Sequence, residues 1–320
     1  MFQTDEECFS EIFREFGKGL YNKYIYMLPY LTSKEDKFKT FMTGNKDYYM
    51  LEEEIELINE KKAFLAELVG LNTNIIDFGP GTDMTVEGKT LSALSCMTHI
   101  KSYTAIDIEQ SYSLGAASLV HKRYPNIPIS AIYADMMNDE NVELLTYLAA
   151  LKNKTILSFN CMIHNLTVSL INKLLANLSK IMNTSDMLIL GLDTNQDSVS
   201  LLKSYENSND MSLDILRYFK FKLQVNNFDP EAFKVVSEIC KDEAFHLTYI
   251  KFNAVATCNQ SFDLKDQRFE IKEGDTYYLW HSLRFNPEFI RNAGSMHGLE
   301  LLEIIQNSKN RLKLFVLVKL

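Results

Sequence analysis

Between Asn74 and Leu190 one pattern repeats along the chain. A short apolar or β-branched run is followed by about a dozen residues whose apolar positions fall at helical spacing. The runs are Asn74–Phe78 (NIIDF), Ser102–Ile106 (SYTAI), Ile129–Tyr133 (ISAIY), Thr155–Phe159 (TILSF) and Met187–Leu190 (MLIL). Strands that alternate with helices specify parallel pairing through helical crossovers, and so a three-layer α/β sheet. Ahead of them, Leu51–Leu68 (LEEEIELINEKKAFLAEL) has charges opposite an apolar stripe and predicts a helix packed on a core. From about Thr194 the rhythm changes. Two helical stretches precede longer alternating runs at Ala244–Cys258, Arg268–Ile271 and Thr276–Ser282, which predict an inserted α+β lobe. Met296–Ile305 reads as a helix and Leu312–Leu320 (LKLFVLVKL) as a closing strand of the sheet. The expected division gives residues 60–193 and 286–320 to the sheet domain, and 1–59 and 194–285 to the lobe.

Composition narrows the function. With 320 residues, 46% of them hydrophobic, the chain can bury a full core and is at the size where one core becomes two. It contains no run of roughly 18 apolar residues, so no membrane span is expected. Its start, MFQTDEECFSEIF, carries acids where a secretory signal needs bases, and a cytoplasmic protein is expected. A net charge of -9 repels a phosphate backbone, which points away from nucleic acid and toward a small-molecule partner. Cys8, Cys96, Cys161, Cys240 and Cys258 are scattered without zinc-site spacing and read as reduced, mostly buried thiols; no metal is expected. The expected state is a monomer or a weak dimer.

The sharpest local signal is Asp77-Phe78-Gly79-Pro80-Gly81, directly after the first strand and before a helix holding Lys89 and Thr90. Glycines at such a turn let the backbone approach a ligand, and the helix start offers unpaired N–H groups. A tight turn alone would also account for the pair. Asp107 closes the second strand, where an acid can accept bonds from both ribose hydroxyls, and Asp135 closes the third, within reach of an adenine amino group. The third glycine of a dinucleotide fingerprint is missing, so S-adenosylmethionine fits better than a nicotinamide dinucleotide. After the fourth strand comes Asn160-Cys161-Met162-Ile163-His164-Asn165. Asn165 can orient an amine without taking its proton, or can serve as a helix cap or turn residue; His164 reads as structural. Tyrosines gather outside the sheet pattern, at Tyr24, Tyr26, Tyr48, Tyr49, Tyr205, Tyr277 and Tyr278, and phenols can hold carboxylates and amines.

Eight stretches carry a resemblance: Lys23–Tyr26; Asp47-Tyr48-Tyr49 with Glu54; Gly79, Gly81, Lys89 and Thr90; Asn165-Leu166; Leu188–Asp193; Ser204-Tyr205-Glu206; Phe228–Phe233; and Gly274–Phe285. Together they resemble the histidine Nα-methyltransferase family of ergothioneine biosynthesis. In order they are similar to its patterns KxFY, EYYPTxxE, GxGxxxKT (with extra residues before the lysine), GSTIGNF, LLLGxD, AYDD, FDxxAF and GExxxTExSxKF. The resemblance implies a class I methyltransferase, that is, a Rossmann-like parallel sheet with a second, α+β substrate-binding lobe. It implies S-adenosylmethionine as cofactor and S-adenosylhomocysteine as product, held by Gly79, Gly81, Lys89, Asp107 and Asp135. Tyr26, Tyr48, Asn165 and Tyr205 would hold the amino and carboxylate groups of an amino acid, with Tyr26 and Asn165 nearest the chemistry. Ile250, or Thr248 in a shifted register, would face its tail together with Trp280 and Ser282.

The departures concentrate at that tail. Trp280 stands where the family has the glutamate that bonds the imidazole, and Asn160 replaces the first glycine of GSTIG. Loss of a buried partner for a substrate N–H costs about 10⁴-fold or more in discrimination. The expectation is an N-methyltransferase of specialised metabolism acting on the amino group of an amino acid or derivative other than histidine. The alternatives are true histidine Nα-methylation, a non-catalytic cofactor-binding regulatory module, a nicotinamide oxidoreductase, or a Trp280 that points elsewhere while Asp275 supplies the contact.

Overall fold

The first five runs form strands, and the computed structural model describes them within residues 37–137, 141–159, 162–206 and 208–320. They are β1 (Asn74–Phe78), β2 (Ser102–Asp107), β3 (Ile129–Tyr133), β4 (Lys154–Ser158) and β5 (Met187–Asp193). Neighbours pair in parallel, with β1 between β2 and β4, β3 beyond β2, and β5 beyond β4. Every residue of β1 and β4 is buried. A parallel strand covered on both faces must be apolar throughout, which is why these runs lack strict alternation. The order reverses between β1 and β4, and in such sheets ligands collect beyond the strand ends at that switch point.

The chain then builds a separate compact unit from the described residues up to Tyr48, Gln196–Asp242 and Thr248–Leu283. Its strands are β6 (Phe233–Asp242), β7 (Leu247–Ala256), β8 (Gln260–Leu264), β9 (Gln267–Ile271) and β10 (Thr276–Arg284). They form a three-stranded sheet in the order β10-β7-β6 and the β8–β9 hairpin. The hairpin turns at Lys265, whose positive φ of 53° suits a two-residue connection. The helices Ser198–Ser204 and Asn209–Lys222 pack on β6.

The sheet-bearing unit comprises Tyr49–Asn195, Glu243–Leu247 and Arg284–Leu320. Its last strands are β11 (Leu299–Gln306) and β12 (Leu312–Lys319), giving the order β11-β12-β5-β4-β1-β2-β3 with β12 antiparallel to both neighbours. Residues 49–59, assigned above to the lobe, belong to this unit, where Glu54 is ion-paired with Lys89.

Four expectations are corrected. Met296–Ile305 is not a helix: Asn286 caps an earlier one at Pro287–Ser295, and Gly298, at φ 70°, turns the chain into β11. The apolar spacing of LELLEIIQ fits either period, and the open edge of β12 decides in favour of a strand. The Leu51–Leu68 helix is two, Met50–Glu60 and Lys62–Val69, broken at Lys61. Strand β6 was not foreseen, although Phe233 and Val235 face in while Lys234 and Val236 face out. Of the expected buried thiols, Cys96 and Cys240 are half-buried and Cys258 is exposed. Among the described residues no helix is long and apolar enough to cross a membrane, and no cluster of metal-ligating side chains occurs.

Candidate active site

Register across β1, β2 and β3 sets Asp77 beside Ala105 and Asp107 beside Tyr133, so the three strand ends lie side by side. Buried Asp77 accepts from the hydroxyls of Thr90 (2.7 Å) and Tyr103 (2.8 Å), anchoring both flanks of the turn that follows β1. Within that turn Gly79 and Gly81 have φ of 68° and 71°, a region closed to most side chains. Gly81 donates its N–H to Asp107 Oδ2 (3.3 Å), and Glu109 N–H donates to Oδ1 (2.9 Å). Burial pushes the Asp107 carboxyl up to about 6, against the pull of those two N–H donors and with a push from the charges of Asp77 and Glu109. Asp135 follows β3, and its Oδ1 accepts from Met137 N–H (2.8 Å). A glycine turn without side chains at Gly79 and Gly81, a carboxylate at the end of β2 and a second after β3 suit the close approach and the donor groups of an adenosine, and the residues present fit such a cofactor.

Lys89 lies in a π-helical turn, Val86–Thr90, of the helix after the glycines. Such a turn takes in an extra residue without ending the helix. Its Nζ pairs with Glu54 Oε2 and donates to the carbonyl of Phe159 (3.0 Å), all of it buried. Glu54 occupies the space above Gly191: a Cβ there would lie 1.6 Å from Glu54 Oε1. Burial raises the Glu54 pKa, and Lys89 pulls it back.

Asn165 is buried in the short 3₁₀ turn Ile163–Asn165, its N–H bonded to the Met162 carbonyl (3.1 Å). It is not the cap of the next helix, because Thr167 Oγ1 takes that place by accepting from Leu170 N–H. The neighbouring His164 is structural, its Nε2 accepting from Asp193 N–H at 2.9 Å.

In the other unit two of the candidate tyrosines converge. Tyr48 and Tyr205 meet edge to face with centroids 5.8 Å apart, and the Tyr205 hydroxyl lies 3.1 Å from Ser282 Oγ. Trp280 stacks on Phe252 at 3.9 Å with 6° between the planes, and Tyr205 meets its ring at 6.0 Å. Its indole N–H donates to Ser212 Oγ (2.9 Å), and Ile250 is fully buried on β7. Thr248 donates instead to Gln196 (2.6 Å), and Asp275 accepts from Lys272 N–H and the Tyr277 hydroxyl. Tyr278 is bonded to His281. Tyr24, Tyr26 and Asn160 lie outside the described residues.

Neither Asp193 nor Arg284 stands among the candidates above, yet the two form a fully buried ion pair at 2.9 Å. The signal available is an acid closing an otherwise apolar strand, MLILGLD, and a base closing a mixed one, TYYLWHSLR.

A family model described as histidine-specific methyltransferase, S-adenosylmethionine-dependent, matches residues 19–319. The histidine N-alpha-methyltransferase of Mycobacterium tuberculosis is 23% identical over 203 residues, covering 61% of this chain and 60% of that protein. Its counterpart in Mycolicibacterium smegmatis is 21% identical over 206 residues, covering 63% and 62%. The chain thus matches less than two thirds of the length of either relative. Among solved structures, magnesium protoporphyrin IX methyltransferase from Synechocystis PCC 6803 is 10% identical with a TM-score of 0.47, covering 93% of this chain and 100% of that one.

Proposed function

This chain belongs to the S-adenosylmethionine-dependent, histidine-specific methyltransferase family, and on that premise we propose that it methylates the amino group of an amino acid, or a close derivative, other than histidine. Bound S-adenosylmethionine supplies an activated methyl group on a good leaving group, so the protein has little covalent chemistry to perform. In this reading the amides of Gly79 and Gly81 approach the cofactor, Asp107 accepts from its ribose hydroxyls and Asp135 from its adenine amino group. Lys89 faces its amino-acid end once released from Glu54, or serves that end by holding the Phe159 carbonyl.

Tyr48, Tyr205 and Asn165 are assigned to the amino and carboxylate groups of the acceptor. The nucleophile is the neutral amine, since an ammonium has no lone pair. Tyr26 is assigned to steering that amine and passing its proton to water. Holding nitrogen and methyl carbon in line supplies about 7–11 kcal/mol of barrier reduction without any strong base.

One observation carries the departure from histidine: the side-chain donor of Trp280, its indole N–H, goes to Ser212. What remains of Trp280, with Phe252 and Ile250, is ring and hydrocarbon surface, and Asp275 is held in its own turn. On such a wall the family's glutamate is replaced by an aromatic ring and the neutral Ser282 hydroxyl is already engaged by Tyr205, so a polar imidazole N–H loses its charged partner and is penalised by its desolvation. A neutral apolar or aromatic side chain suits it.

Titration calorimetry on protein saturated with S-adenosylhomocysteine tests this reading. Phenylalanine or leucine binding at least about 10-fold more tightly than histidine is the expected result. Tighter binding of histidine overturns it in favour of histidine Nα-methylation. Cofactor binding with no amino acid taken up favours the regulatory module.

A further inference from the structure

Four distant stretches of chain meet at Asp193, the last residue of β5. Its carboxylate accepts from the Tyr49 hydroxyl (2.7 Å) and the Asn195 N–H (2.8 Å) and pairs with Arg284 Nε (2.9 Å). Its backbone takes part as well: the N–H donates to His164 Nε2 (2.9 Å), and the carbonyl accepts from Phe285 N–H (2.9 Å). Asn195 Nδ2 closes the ring by donating to the Tyr49 hydroxyl (3.0 Å). Outside it, the Arg311 guanidinium lies 4.1 Å over the Tyr49 ring and pairs with Glu53. Asp193 and Arg284 are both fully buried, and all these residues belong to the sheet-bearing unit.

Three of the stretches gathered carry side chains assigned to the acceptor amino acid. Tyr48 precedes Tyr49, Asn165 follows His164, and Ser282 stands two positions before Arg284. A buried ion pair is weak support for stability, since well-packed apolar residues do as well or better. Hydrogen bonds, unlike apolar packing, have direction, and a residue holding four of them beside an ion pair ties each stretch to a defined register.

We infer that Asp193 is a positioning residue that fixes, through Tyr49, His164 and Arg284, the backbone stretches that carry Tyr48, Asn165 and Ser282. The inference rests on the functional reading above. A 1 Å misplacement far from the chemistry is enough to cost about 100-fold in rate, so such a centre governs turnover without touching a reactant.

Hydrogen exchange followed by mass spectrometry, on the full chain with S-adenosylhomocysteine bound, tests it in two variants. Asp193→Asn removes the charge; Tyr49→Phe removes one hydroxyl and is the milder change. Both are expected to speed exchange about 5-fold or more in residues 45–49, 162–166 and 282–286 together, while 75–81 and 103–107 keep wild-type rates. S-Adenosylhomocysteine affinity stays within about 2-fold, and methylated product from an equimolar mixture of the proteinogenic amino acids falls about 10-fold or more. Unchanged exchange in both variants overturns the inference. So does loosening that spreads through β1 and β2 with parallel loss of cofactor affinity, which marks a structural role only. The exchange readout needs no acceptor, so a wild-type chain that methylates no amino acid defeats the functional reading and leaves the exchange pattern to decide the role of Asp193.

Discussion

Cofactor affinity is expected to depend on pH through one carboxyl. Asp107 sits at about 6 because it is buried, with Asp77 and Glu109 adding repulsion. Ribose hydroxyls donate, so they bond the carboxylate fully and the protonated acid only in part. Binding therefore requires the ionised form, and affinity falls as pH drops through about 6. At pH 5 about one molecule in ten carries the charge, which weakens binding about 10-fold, or about 1.4 kcal/mol, relative to pH 8. Asp77 also stands at about 6, but its Oδ2 serves both Thr90 and Tyr103 inside the protein, so its protonation does not couple directly to the ligand. Calorimetric titration of S-adenosylhomocysteine from pH 5 to 8 reads the slope, and Asp107→Asn should bind more weakly with a flat profile. A flat wild-type profile, or an unchanged slope in the variant, refutes the assignment of Asp107 to the ribose.

Other substitutions probe the remaining parts. Gly191→Ala places a methyl 1.6 Å from Glu54 Oε1 and 3.3 Å from the Phe159 Cα, so Glu54 must leave Lys89. Urea unfolding should show a loss of about 3–5 kcal/mol, the cost of breaking a buried pair, and a loss under about 1 kcal/mol would disprove that packing. Asn165→Ala should lower turnover about 100-fold with S-adenosylhomocysteine affinity unchanged; equal loss of both would place Asn165 in the cofactor site or the fold. Trp280→Glu should raise turnover of histidine relative to phenylalanine by about 10-fold or more, and an unmoved ratio would remove Trp280 from the tail pocket.

Much of the sheet is legible in the sequence because its strands are buried on both faces. β1, buried throughout, begins and ends where its apolar run does, with Gly79 closing it; the half-buried edge strand β3 does so because its run is bounded by Pro128 and Ala134. The opposite edge and the lobe strands read less well. β11 has Leu299, Leu301, Leu302, Ile304 and Ile305 at spacings that suit a helix, and only pairing with β12 settles its form. The same split runs through the site. Gly79, Gly81, Asp107 and Asp135 are legible as candidates because the ends of β1, β2 and β3 can be counted off within one repeating unit. The partners of Lys89 are not, because Glu54 and the Phe159 carbonyl come from distant elements. Asp193 is harder still: Tyr49, His164 and Arg284 are scattered along the chain, and only the fold brings them to one carboxylate.

The most direct measurement supplies the chain with S-adenosylmethionine bearing a deuterated methyl group and an equimolar mixture of the proteinogenic amino acids, then locates the label by tandem mass spectrometry. The account predicts labelled methyl on the α-nitrogen of an amino acid with a neutral apolar or aromatic side chain, with S-adenosylhomocysteine formed in step. Trimethylhistidine as the main labelled product, or cofactor binding without any labelled amino acid, would contradict it.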